Sequence, residues 1–375
     1  MYKNEKILLI SCEGLGNGGV QNVIMNIVRN LSDLFTFDIV LFTNEKRFYD
    51  DEFLSYGGKI FYMPQKKTKF KIVNYIDRFI RARRIYKKTF KIIKENGPYI
   101  AIHNHNVLEG AMCLKAAEKS KINKRITHSH RDFSEKFKHR LLSHVIWNFY
   151  HKPLIKYTTC FIGCSQLSIN TLLHDKNTLK NKPCKIIYNP YDDQKFNPDL
   201  YTINSKEFIL IQVASFSDNK NQLFSLKVLN EIKKTYSGVK LFLVGFGKEY
   251  LNNKIYPSIE EMKLESNVEV YPSDADTPKL LSRSSGFLFP SKHEGFGIVL
   301  IEAQAMGVRC FVSDTVPKET DTGGCTFIPL SAGYKKWADI IINDYKKNKG
   351  SFIKCDCSEF KIKNTVDKFY QLYTE

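Results

Sequence analysis

Glu294 and Glu302 stand eight positions apart in the stretch SKHEGFGIVLIEAQAMGV, residues 291–308. Gly295, Phe296 and Gly297 follow the first acid, and an apolar run from Ile298 to Ile301 leads to the second. If 294–297 is a strand-to-helix turn and a helix begins near Gly297, Glu302 lies on its second turn. The carboxylates can then sit up to about 12 Å apart along the axis, the span of a diphosphate with a sugar at each end. Glycines allow a backbone approach that a Cβ would block, and free N–H groups at a helix start favour an anion. The segment can thus hold hydroxyls at its ends and phosphate in the middle. On spacing alone, an ordinary βα unit with two solvated acids fits as well.

Other residues offer competing chemistry. His103/His105 and His128/His130 are two His-x-His pairs at the ends of successive β-like runs. Alternate side chains of a strand share a face, so the four imidazoles could converge on a metal ion. A metal-dependent hydrolase is therefore the first alternative, although no carboxylate cluster stands beside the pairs. Structural roles are the preferred reading for His103 and His105. Asp274 and Asp276 make an Asp-x-Asp, but the following Thr277-Pro278 has the character of a helix start, so a cap or loop is expected there. Gly14, Gly16, Gly18 and Gly19 approximate a dinucleotide fingerprint with the wrong spacing. Asp192 and Asp193 read as turn and capping residues.

These groups need elements to position them, and the chain supplies a repeating set. KILLISC, TFDIVLFT, KIFYMP, YIAIHNH, RITHSH and TCFIGCS are strand-like and separated by amphipathic stretches. Such alternation predicts βαβ units and a parallel sheet covered on both faces. The rhythm breaks at 185–208, rich in Pro, Asn, Asp and Tyr, then restarts with FILIQVASF, VKLFLVGFG, VEVYPSD, SGFLFPS and RCFVSD. The expected architecture is α/β: a Rossmann-like domain over 1–190 and a second over 191–359, facing a cleft. Ligands of such sheets bind outside the carboxyl ends of the strands.

At 375 residues, with 43% apolar and 26% charged residues, the chain suits two soluble domains. No apolar run approaches the roughly 18 to 20 residues that span a bilayer, and the short apolar stretch from Ile7 reads as a buried strand rather than a signal peptide. Cytoplasmic residence follows as an expectation. Nine cysteines without a Cys-x-x-Cys pair fit reduced thiols. The net charge of +18 is concentrated, since residues 66–94 hold twelve Lys/Arg against one acid, Asp77. Apolar residues recur there at helical spacing, which predicts a basic amphipathic helix. Its charge suits a solvated face or an anionic membrane or lipid pyrophosphate. No nucleic-acid-binding motif accompanies it.

EGFGIVLIE at 294–302 resembles the E-x7-E signature of glycosyltransferase family 4, retaining enzymes of the GT-B fold that use nucleotide-sugar donors. The likeness runs along the chain. GLGNGGVQNVIMNIVRNL is similar to the family's amino-terminal Gly-rich loop and helix, and HNHNVLEGAMCLKAA with KRITHSH resembles members that assemble exopolysaccharides and capsules. YNPYDDQKF, VASFSDNKNQ and FLFPSKHEGFG follow in the family's order.

The resemblance implies a transferase moving a hexose or N-acetylhexosamine from a nucleotide-diphosphate-sugar, with UDP-sugars the first expectation. The acceptor would be a glycan such as a polyprenyl-diphosphate-linked intermediate of surface polysaccharide, bound mainly by the amino-terminal domain. Glu294 with Gly295, Phe296 and Gly297 would hold the donor sugar, Ile298 would border the donor, and Glu302 would bind the ribose. Lys220, with the amides of Gly18 and Gly19, would stabilise the leaving diphosphate without a metal or other cofactor. A histidine near the donor sugar is implied at His128 or His130, with His130 the closer fit. A carboxyl-terminal helix over 360–375 would pack back on the first domain. Peripheral contact with the inner face of the plasma membrane through 66–94 is the further implication. Two departures stand out: Ser215 occupies the place of the family's Arg on the diphosphate, and Pro190 replaces a Gly. A basic membrane- or nucleic-acid-binding module that has lost catalysis is the alternative from another class.

Overall fold

Strand β1 (Glu5–Ser11) is buried on both faces over its last five residues, as a central parallel strand must be. It anchors a seven-stranded sheet with β2 (Phe35–Leu41), β3 (Ile60–Tyr62), β4 (Tyr99–Asn104), β5 (Lys124–Ser129), β6 (Cys160–Gly163) and β7 (Cys184–Ile186). The strand order is β3-β2-β1-β4-β5-β6-β7, and every pairing is parallel. Helices α1 (Gly19–Leu31), α2 (Asp50–Ser55), α3 (Val73–Asn96), α4 (Ala111–Lys119), α5 (Leu141–Tyr157) and α6 (Gln166–Leu173) make the crossovers. This computed structural model describes residues 5–11, 14–64, 73–133, 141–173, 182–202 and 207–375. Residues 66–72 of the basic stretch, and Cys12, lie outside the described residues.

A second parallel sheet has the order β10-β9-β8-β11-β12-β13. Its strands are β8 (Ile209–Val213), β9 (Lys240–Gly245), β10 (Val268–Pro272), β11 (Gly286–Phe289), β12 (Cys310–Ser313) and β13 (Cys325–Ile328). Around it run α7 (Gln222–Lys233), α8 (Lys248–Tyr250), α9 (Tyr256–Glu261), α10 (Thr277–Leu281), α11 (Ile298–Ala305) and α12 (Gly333–Asn348). Asp276 caps α10 by accepting a hydrogen bond from the Lys279 N–H at 3.2 Å, which is the sequence expectation for that Asp-x-Asp. Asp192 accepts from the N–H groups of Gln194 and Lys195, so it is a turn residue.

The chain divides into two compact units, Met1–Asn189 with Lys363–Glu375, and Pro190–Ile362. The last helix, α13 (Ile362–Thr374), packs on the first unit: Phe35 meets the rings of Tyr370 and Tyr373, and Lys124 donates to the Tyr373 carbonyl at 2.5 Å. In each sheet the winding direction reverses once, between β1 and β4 in the first and between β8 and β11 in the second. Loops leaving the carboxyl ends of strands at such a reversal diverge and leave a crevice for ligands. Residues 14–19, His105, the loop to Asn221 and residues 290–297 fall on these loops.

Candidate functional site

In the second unit, β8 leads into a loop ending at Asn221, and β11 leads into the loop Pro290–Gly297. Amide side chains stitch the two together. The Asn219 side chain donates to the His293 carbonyl at 2.9 Å, and its main-chain carbonyl accepts from the Lys292 N–H at 2.8 Å. Asn221 donates to the Pro290 carbonyl at 3.0 Å. It holds a left-handed backbone with φ of 59°, a conformation asparagine tolerates better than most residues. Below them Gln212 donates to the Lys220 carbonyl at 2.7 Å, and its own oxygen is held by Ser225. Gln222, fully buried, donates to the Ser215 carbonyl.

This frame fixes Lys220 against Glu294 in a direct ion pair. Glu294 is 8% exposed, so the pair is largely withdrawn from water. The Lys220 ammonium also lies 5.4 Å from the centroid of the Phe289 ring. Each charge compensates the other where a lone buried charge would be costly. Gly297 precedes α11 with φ of 96°, where an added Cβ would sit 3.2 Å from the Phe289 ring. Only glycine takes this turn without strain. Phe296 is buried against Phe360, while Gly295 and Ile298 are partly exposed. Glu302 lies on the second turn of α11. Desolvation pushes its carboxyl up to about 7, against the pull of nearby Lys195 and with a small push from Asp192. Ser215 places no charge here.

In the first unit, the turn after β1 reaches α1 at Gly18 and Gly19, and no side chain caps the helix start. No acid occupies its first turn either. A Cβ on Gly19 would meet nothing within 4 Å, so space is open beside it. Register pairs His103 with Ile126, which puts His103, His105, His128 and His130 on one sheet face. Their rings stack closely, with centroids 4.1 Å apart for His103–His105 and 3.9 Å for His128–His130. His128 is fully buried, while His130 keeps partial exposure. Burial holds all four imidazoles far below the usual histidine range, to about 3 for His103 and His130. They are neutral at pH 7.

Residues 17–195 match the family model described as Glycosyltransferase Family 4, and residues 193–322 match that of Glycosyl transferases group 1. The chain belongs to glycosyltransferase family 4. This transferase is 26% identical over 358 residues to EpsF of Bacillus subtilis (strain 168), covering 91% of this chain and 88% of that one. It is 24% identical over 365 residues to CapH of Staphylococcus aureus, a capsular polysaccharide biosynthesis glycosyltransferase, covering 96% of each. The crystal structure of HepE from Anabaena in complex with UDP and glucose resembles it with a TM-score of 0.75 at 16% identity, covering 98% of both chains. The fold is GT-B.

The family-4 transferase thus has Lys220, Glu294, Gly295, Phe296, Gly297, Ile298 and Glu302 at one strand-order reversal, with Ser215 on the loop leaving β8. Gly18 and Gly19 lie at the other reversal, and His128 and His130 at the end of β5. Membership in a transferase family disfavours the hydrolase reading of the histidine pairs. Sequence reasoning missed the amides of Gln212, Asn219, Asn221 and Gln222, which hold the loops rather than a ligand. Their signal was present in the run NKNQ around Lys220, where an Asn next to a helix start favours a left-handed residue.

Proposed function

We propose that the chain is a retaining glycosyltransferase that moves a hexosyl or N-acetylhexosaminyl group from a nucleotide-diphosphate-sugar to a glycan acceptor. UDP-sugars are the donors to try first, in line with the UDP and glucose held by HepE. The observation that carries the reading is the Lys220–Glu294 pair, framed by amides at the strand-order reversal of the second sheet. Breaking the anomeric C–O bond builds positive charge on the sugar and negative charge on the diphosphate. Lys220 stabilises the diphosphate, Glu294 accepts hydrogen bonds from sugar hydroxyls, and Glu302 grips the ribose. In the first unit, the amides of Gly18 and Gly19 at an uncapped helix start suit an anionic oxygen, whereas the His130 ring nitrogens are turned inward, Nε2 to His105 and Nδ1 buried. The acceptor oxygen bonds the anomeric carbon as the C–O bond to the diphosphate breaks, and the acceptor proton leaves on the departing diphosphate, whose charge falls to Lys220 and the Gly18 and Gly19 amides.

The acceptor is a polyprenyl-diphosphate-linked glycan of surface polysaccharide synthesis, reached by peripheral contact with an anionic membrane. Helix α3 supports this. Ala82, Ile85, Thr89 and Ile93 face the core, while Arg83, Lys87, Lys88 and Lys91 face outward beside Phe79 and Ile80, which are 61% and 49% exposed. Among the described residues no helix is long and apolar enough to cross a membrane.

A thermal-shift screen against a panel of nucleotide sugars tests the donor reading, since a ligand bound to the folded state must raise Tm. One nucleotide sugar should stabilise the chain, and Glu294→Ala and Glu302→Ala should each abolish that gain and the transfer of labelled sugar. A chain indifferent to every nucleotide sugar, or a Glu294→Ala/Glu302→Ala variant that transfers at the parent rate, refutes it.

A further inference from the structure

The histidine cluster of the first unit holds more unpaired nitrogens than a packed interior tolerates. His103 and His128 have no exposed surface and His105 has 5%. Three ring nitrogens are engaged: His103 Nδ1 lies 2.6 Å from the Tyr373 hydroxyl, and His105 Nδ1 and His130 Nε2 lie 2.9 Å from each other. His103 Nε2, His105 Nε2, His130 Nδ1 and both nitrogens of His128 are buried without a hydrogen-bond partner. Each such orphan costs about 1–3 kcal/mol. Their concentration in one spot marks a place built for an occupant.

We propose that His103, His105 and His128 form a binding site for a late first-row divalent cation of the zinc class. One nitrogen from each of the three lies within 4.8 Å of the others. Zn–N bonds of about 2.0–2.1 Å require the rings to close by roughly an ångström. Three imidazoles without carboxylate or thiolate select zinc, cobalt or copper over magnesium and calcium.

The surrounding hydrogen bonds give each tautomer a reason. If His103 Nε2 ligates, its Nδ1–H donates to the Tyr373 oxygen. If His105 Nε2 ligates, its Nδ1–H donates to His130 Nε2, which leaves the His130 proton on Nδ1. The neighbouring acceptor for that proton is Asn189 Oδ1, itself buried and unpartnered. Ligating histidines characteristically hand their second nitrogen to such a partner. Because burial keeps the imidazoles neutral, their lone pairs are free at pH 7. The ion ties the ends of β4 and β5 to α13 through Tyr373 and acts structurally.

The test uses the full chain, dialysed against a chelator and then titrated with zinc chloride by calorimetry and with cobalt(II) chloride by visible absorption. One equivalent of zinc should bind and raise Tm, and cobalt should give the spectrum of a tetrahedral site. His103→Asn should lose stoichiometric binding, whereas His293→Asn, an exposed histidine of the other unit, should retain it. Tyr373→Phe keeps the ring and the packing, so it tests the site even if His103→Asn fails to fold; zinc affinity should fall about 10–100-fold. Zinc uptake by the parent no greater than by His103→Asn, an octahedral cobalt spectrum, or unchanged affinity in Tyr373→Phe overturns the proposal.

Discussion

At the scale of single residues, Lys220 and Glu294 show how a functional charge is kept ready. Unpaired, either would be a costly buried ion; paired, each is held in place for the donor groups proposed to displace its partner. Two glycines separate shape from stability. Gly297→Ala puts a Cβ on a left-handed residue close to Phe289 and should cost about 1–2 kcal/mol in denaturant unfolding. Gly19→Ala meets nothing in the unliganded protein. Its stability should stay within about 0.5 kcal/mol of the parent while nucleotide-sugar affinity drops, because the new methyl occupies the space an anion needs. Unchanged affinity in Gly19→Ala would remove that glycine from the donor site. Glu302 adds a pH dependence. Its carboxyl titrates at about 7, above the ordinary carboxylate value, so the folded chain holds the proton more tightly than the unfolded one. This group's contribution to stability therefore declines as pH climbs from the carboxylate range to about 7. Donor affinity should move the other way, strengthening from pH 6 to 8 as the carboxylate forms, and calorimetry in two buffers would register the released proton.

At the scale of elements, α13 and α3 do different work with similar amphipathic patterns. Phe369 is 1% exposed and packs on His103 and His128. Phe369→Ala should therefore cost about 3–5 kcal/mol of the first unit's stability. Helix α3 spends its inner face on the core and leaves its outer face cationic. Replacing Lys87, Lys88 and Lys91 by Glu should abolish co-sedimentation with phosphatidylglycerol vesicles, with the melting temperature barely changed. Retained sedimentation would assign that face to solvent alone. Periodicity revealed α3 in the sequence, because apolar spacing is a local property, whereas α13 was expected from the family resemblance. The resemblance pointed α13 to the first domain, but its individual contacts were not legible in the sequence, since Tyr373 and His103 are separated by 270 positions.

At the scale of the whole molecule, the two units differ in their response to acid. The four neutral histidines of the cluster, three of them buried and His130 partly so, all belong to the first unit. Their folded-state pKa values lie below the unfolded value near 6.5, so between about 3 and 6.5 the unfolded chain binds more protons. Stability of the first unit is then lost as pH falls through 6.5. Each unit carries one of the two tryptophans, Trp147 in the first and Trp337 in the second, both buried. Single-tryptophan variants should show the Trp147 signal melting at lower temperature than the Trp337 signal at pH 5, with the gap narrowing at pH 7.5. Coincident melting at both pH values would contradict the burial of those imidazoles.

The sequence by itself determined the α/β class, two parallel sheets and the family, because strand and helix periods, glycine turns and the Glu294–Glu302 spacing are written in neighbouring residues. Only the tertiary structure decided that Lys220 meets Glu294 across 74 positions, that four amides hold their loops, and that four histidines face one another with nitrogens unpaired. Strand order and register make those choices. They join residues distant along the chain, and no local pattern encodes which strand will lie beside which.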